Sequence, residues 1–177
     1  ALAVMCICGI AMGLVYPVVA LWNKTGGIPS ADQLTLDGTQ YYRAVWPDQM
    51  RAVEWLKQAP LGVMVEAVAD TGGSYTTYAS VSTFSGMPTV LGWIGHEAQW
   101  RGGYLEMGSR QNDIRTLYST HDWQETKAIL DKYQIKYVYV GDLEMRTYAL
   151  DESKFQEHLQ LVFDSPGARI YAYAAGQ

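Results

Sequence analysis

His96-Glu97-Ala98-Gln99-Trp100-Arg101 places an imidazole, a carboxylate, an amide and a guanidinium within one short stretch. The stretch begins like the helix of a zinc protease, in which two His four residues apart bind the metal and a Glu serves as base. Here Trp100 stands where the second His would be, so a metal ligand is missing. A metal-dependent hydrolase would need an ion held by His96 and Glu97 alone. The chain contains no Gly-x-Ser-x-Gly, no phosphate-binding glycine loop followed by Lys and Ser or Thr, and no Gly-x-Gly-x-x-Gly. Hydrolase, nucleotide-binding and dinucleotide-binding functions therefore have no motif behind them.

Other polar groups follow apolar runs of strand length. In open α/β sheets ligands collect outside the carboxyl ends of the strands. Glu66 and Asp70 follow a first run, Leu61 to Ala67. His96, Glu97, Gln99 and Arg101 follow a second, Pro88 to Trp93, and Asp142 and Glu144 follow a third, Ile135 to Gly141. If these strands are parallel, the groups share one edge of the sheet. They could then bind a cation, sugar hydroxyls or a phosphate, or pair with one another, and the residues leave both options open. Trp93, Trp100 and Tyr104 could stack on sugar rings or form a buried aromatic cluster. His121 and His158 stand alone and read as solvated.

The elements that would position these groups alternate in type. Pro47, Asp48, and Met50, Val53 and Leu56 on one side predict a helix that ends before Pro60. Asp70-Thr71-Gly72-Gly73-Ser74 is a turn cluster, followed by a hydroxyl-rich run through Phe84 containing a short helix. From Gly95 to Gly108 recurring glycines predict a loop with one or two helical turns. Asn112 to Tyr118 is a short helix, and Asp122 with Glu125 opens another whose face is Thr126, Ile129, Leu130 and Tyr133. Ser153 with Gln156 opens a last helix. Leu161 to Phe163 and Ala168 to Tyr173 follow, joined by Asp164-Ser165-Pro166-Gly167, a pair that could close as an edge hairpin. Helices alternating with short apolar strands predict a layered α/β domain with a small, mostly parallel sheet.

Ahead of this domain the composition is different. Ala1 to Trp22 carry no charge, and all 13 Lys and Arg and all 18 Asp and Glu lie beyond them. A run of about 20 such residues matches the hydrocarbon core of a bilayer. Tyr16, Trp22 and Lys24 supply the aromatic rings and snorkelling cation expected where a helix leaves the lipid. A cleaved signal peptide would need a basic leading region, which is missing, and a buried helix of a soluble protein is the other competitor. Gly9 and Gly13 would let another helix approach closely, and Pro17 would kink the last turns. A transmembrane helix over 1–22, the last of a larger bundle, is therefore expected, then a membrane-proximal irregular linker over 23–46 and an α/β domain over 47–177. Cys6 and Cys8 point to different faces of such a helix and suggest neither a disulfide nor a metal site. A net charge of -5 with no cluster of Lys and Arg disfavours nucleic acid as a partner.

From Gly86 to Gly102, Gly-Met-Pro-Thr-Val-Leu-Gly-Trp-Ile-Gly-His-Glu-Ala-Gln-Trp-Arg-Gly resembles the C-terminal part of the "YYY" family of polytopic bacterial and archaeal membrane proteins. So do Glu66-Ala67, Gly73-Ser74-Tyr75, Arg110, Ile114 to Tyr118, and Lys132 to Glu144. The resemblance covers most of the chain after Val63. Ser80 departs from it, because an Arg is expected there, and its loss removes an anion-binding group from that turn.

That family has no known function and is grouped with the GT-C membrane glycosyltransferases, which transfer sugars from polyprenyl-phosphate donors. The resemblance implies an extracytoplasmic domain of a cell-membrane protein that assists substrate binding, with the catalytic carboxylate in an upstream loop. Together with the polar groups after the strands and the aromatic rings, it gives as candidate substrate-binding residues Glu66, Tyr75, Trp93, His96, Glu97, Gln99, Trp100, Arg101, Arg110 and Glu144. The expected partners are the lipid bilayer, other transmembrane helices of the same protein and a polyprenyl-phosphate-linked sugar. No cofactor is evident in this stretch, and a divalent cation would belong to the full-length protein. The alternative is a non-catalytic structural or interaction module.

Overall fold

The computed structural model describes residues 1–27 and 35–174. Two compact units are present, Ala1–Tyr41 and Tyr42–Gln177. The first is dominated by α1, Leu2–Thr25, which is long and apolar enough to cross a membrane and buries none of its side chains. Gly26, at φ 67°, ends it in the left-handed conformation that glycine adopts without a Cβ penalty. The linker expected over 23–46 falls partly on residues 28–34, outside the described residues. Its last part is not irregular: Thr39–Val45 form α2.

In the second unit α3 spans Pro47–Gln58, with the proline at its first turn and Met50, Ala52, Val53 and Leu56 buried. The strands are β1, Val63–Val65; β2, Ile135–Gly141; β3, Gln160–Ser165; and β4, Ala168–Ala172. They form one sheet in the order β1-β2-β4-β3. Only β1 and β2 are parallel, while β4 runs antiparallel to both β2 and β3. The sheet is thus mixed rather than mostly parallel. The reason is the short Ser165-to-Ala168 turn, which can return the chain only in the opposite direction, and the resulting hairpin lays β4 beside β2. The second expected strand is also absent. Pro88 to Trp93 makes a single parallel bridge, Thr89 with Met64, because Pro88 lacks the amide that a continued ladder needs.

Both faces of the sheet are covered. Met50, Val53 and Leu56 pack with Tyr137, Tyr139 and Ile170 on one face. Ile114, Leu117 and Tyr118 of α6 (Arg110–Ser119) and Leu130 of α7 (Trp123–Lys132) pack with Val138, Val140 and Tyr171 on the other. Burial on both faces is why β2 reads as a nearly continuous apolar run. Asp122 caps α7 by accepting the Gln124 amide at 2.7 Å, as its position predicts. Between β1 and α6 lie α4 (Ser80–Ser85), α5 (Ile94–Arg101) and a 3-10 turn (Leu105–Met107). Beyond β2 come α8 (Asp142–Thr147) and α9 (Ser153–His158).

Candidate functional site

The bridge from Thr89 to Met64 carries the chain alongside β1, so α5 starts at the carboxyl end of the parallel strands. Glu66 and Glu144 occupy the same end, directly after β1 and β2. Each is almost fully buried, at 3% and 1% exposure. Glu66 accepts two amides of the first turn of α4, Val81 to Oε2 and Ser82 to Oε1, each at 3.1 Å. Glu144 accepts the Ala67 amide at 2.6 Å and the Gly141 amide at 2.9 Å. Burial pushes both carboxyls up to about 7, and the charge of Glu66 adds to the rise at Glu144. Their oxygens are spent on backbone amides, so both are placed beneath the surface to fix α4 and the strand ends.

The surface above them is a cleft of about 500 Å³ between α4 and α5. Trp93, His96, Glu97, Trp100 and Arg101 line one side, and Ala79, Ser82 and Thr83 the other. Helical spacing accounts for the α5 side: His96 and Trp100, and Glu97 and Arg101, are each one turn apart. The Arg101 Nε donates to Glu97 Oε2 at 2.7 Å, and its Nη1 lies 3.4 Å from Glu106. The bond to Glu97 holds the guanidinium above its ordinary pKa. Trp93 donates its indole N–H to the Tyr78 carbonyl. His96 meets the rings of Tyr75 and Trp93 nearly edge-on, with centroids 4.6 and 5.3 Å away. Its Nε2 is buried and makes no hydrogen bond within the described protein. Tyr75 is held at φ 60° and Ala79 at φ 59°, so the strap between them carries left-handed backbone at two residues that have a Cβ.

The ten residues singled out from the sequence thus fall into three groups. Trp93, His96, Glu97, Trp100 and Arg101 share the cleft, and Tyr75 flanks it through Trp93 and His96. Glu66 and Glu144 lie below. Gln99 is exposed on α5 and does not line the cleft, and Arg110 is turned away, donating to the carbonyls of Glu106 and Met107. The α4 wall, Ala79, Ser82 and Thr83, had no signal beyond a hydroxyl-rich run. A larger cavity of about 860 Å³ lies where β2 begins, lined by Trp55, Trp123, Tyr137 and Tyr173 among others. Nothing in the sequence pointed there, because none of these residues follows a parallel strand. Among the described residues no three His, Cys, Asp or Glu side chains converge as a metal shell. Glu97 is instead committed to Arg101.

No protein-family model matches the chain and no curated protein matches it. Among solved structures, the C-terminal globular domain of an oligosaccharyltransferase from Archaeoglobus fulgidus is similar with a TM-score of 0.44 and 9% identity. The match covers 72% of this chain and 97% of that one.

Proposed function

We propose that this chain carries the last membrane helix and the extracytoplasmic domain of a GT-C-like membrane glycosyltransferase, and that the α4–α5 cleft helps hold substrate. One observation carries the proposal. Trp93, His96, Glu97, Trp100 and Arg101 of the motif that resembles the YYY family line an open cleft and bring aromatic rings, a carboxylate and a guanidinium together. Rings that stack on a sugar face, beside groups that bond its hydroxyls, suit a glycan, while the pairing of Glu97 with Arg101 keeps both oriented.

The test is alanine at Glu97, Trp100 and Arg101 in the full-length protein, assayed for transfer from a polyprenyl-phosphate-linked sugar. Each substitution is expected to lower transfer without altering the unfolding midpoint. Unchanged transfer in all three would remove the site assignment. A second proposal, a non-catalytic docking module, draws on Arg101, whose guanidinium is already engaged by Glu97 and Glu106 and so offers little free charge to a ligand.

A further inference from the structure

At the rim of the cleft lies a surface that shares Trp100 and Tyr75 with it and continues to Tyr104 and Leu105, which the substrate role leaves unexplained. Trp100 is 85% exposed, Tyr104 67%, Leu105 96% and Tyr75 79%. Local chain geometry brings them to one region. Tyr75 rests against His96, one helical turn before Trp100, and Gly102 and Gly103, both at positive φ, turn the chain directly into Tyr104 and Leu105. Clustered large side chains standing in water mark a contact surface, whereas isolated ones do not.

We infer that this aromatic lip, Tyr75, Trp100, Tyr104 and Leu105, is a bilayer-contact surface that seats in the headgroup region of a membrane. The inference goes beyond sugar transfer and does not depend on it. Three observations favour lipid over a protein partner. The composition is that of an interfacial belt: Trp and Tyr rings that are apolar at the body and polar at one edge, with one Leu to enter the acyl boundary. The charges among them, Glu97 and Glu106 against Arg101 and Arg110, cancel, so the lip offers a polar partner no net charge to read. The tether is short as well. Only 16 residues join Thr25 to Tyr42. A membrane crossed by α1 would therefore be a permanent neighbour.

The experiment uses the full chain in phosphatidylcholine vesicles. Cys6→Ala and Cys8→Ala clear the native thiols, and a fluorophore is attached at Leu105→Cys or, as a control beyond the opposite edge of the sheet, at Glu157→Cys. Both positions are exposed, so neither label disturbs packing. Phosphatidylcholine with a nitroxide near the headgroup is expected to quench the label at 105 at least about twofold more than the one at 157, as headgroup-level insertion requires. Raising salt to about 1 M, where the screening length is ~3 Å, should leave that difference intact. Equal quenching at the two positions overturns the proposal, as does loss of the difference in salt. Shielding of position 105 from both the nitroxide lipid and aqueous iodide also overturns it, because a protein then covers the lip. None of these readouts involves sugar transfer, so the two proposals fail separately.

Discussion

Glu66 and Glu144 meet across one peptide unit: the Ala67 amide, next in the chain after Glu66, donates to Glu144 Oε1 at 2.6 Å. One carboxylate thus fixes the strand end from which the other reaches the amides of α4. The pair braces the α4 wall of the cleft from behind, and its chemistry can be tested apart from any ligand.

Stability should fall as pH rises from about 4.5 to 7. Burial raises both carboxyls from 4.5 to about 7, so in that window the native state holds protons that the unfolded state has released. The contribution is fully present below 4.5 and lost by about 7, on the order of 3 kcal/mol for each carboxyl. Asp151, lowered to about 2 chiefly by the Ser153 hydroxyl, acts in the opposite sense and loses its contribution as pH falls from 3.8. Urea unfolding in detergent micelles at several pH values measures the slope. A curve that rises between pH 5 and 7 would contradict it.

Glu144→Gln and Glu66→Gln should each flatten the fall in stability between about pH 4.5 and 7, because a glutamine has no proton to release. Both oxygens of each carboxylate accept a backbone amide, and a glutamine places an NH₂ against one of those donors, so the variants should be the less stable at about pH 4.5. Unfolding midpoints of the two variants at about pH 4.5 and 8 measure both effects.

Lys154→Met should cost about 3 kcal/mol, because the buried ammonium donates to three carbonyls, and the gain from those bonds is partly offset by the desolvation that lowers its pKa to about 8. Those carbonyls belong to Tyr118, Thr120 and Asp151, so the lysine ties the end of α6 to the start of α9. Faster amide exchange confined to these two segments would accompany the loss.

Gln134→Gly should stabilise by about 0.5–1 kcal/mol. Gln134 sits at φ 52° just beyond α7, where glycine pays no Cβ penalty. A rise in the unfolding midpoint is the expected result.

The helices at Pro47 and Asp122 and the long strand at Ile135 were legible because their signals are local: a proline at a first turn, a capping carboxylate, a β-branched run buried on both faces. The direction of β4 was not, since the same helix-strand alternation suits a parallel sheet until the Ser165–Ala168 turn is seen to lay β4 against β2. The cleft was half legible. Helical spacing after Trp93 unites His96, Glu97, Trp100 and Arg101, but the opposite wall depends on Glu66 drawing in the amides of Val81 and Ser82. That contact spans 15 residues and has no periodicity to betray it. Glu66 and Glu144 were identified as polar groups after strands, and nothing in the sequence distinguishes a ligand-facing carboxylate from one spent on backbone.

The central proposal, that the cleft binds substrate, is tested most directly by steady-state transfer kinetics of full-length Trp100→Ala and Arg101→Ala. The expected result is a KM for the lipid-linked sugar or its acceptor raised about tenfold, with kcat little changed, as loss of ground-state binding requires. KM and kcat both equal to those of the unsubstituted protein would contradict it.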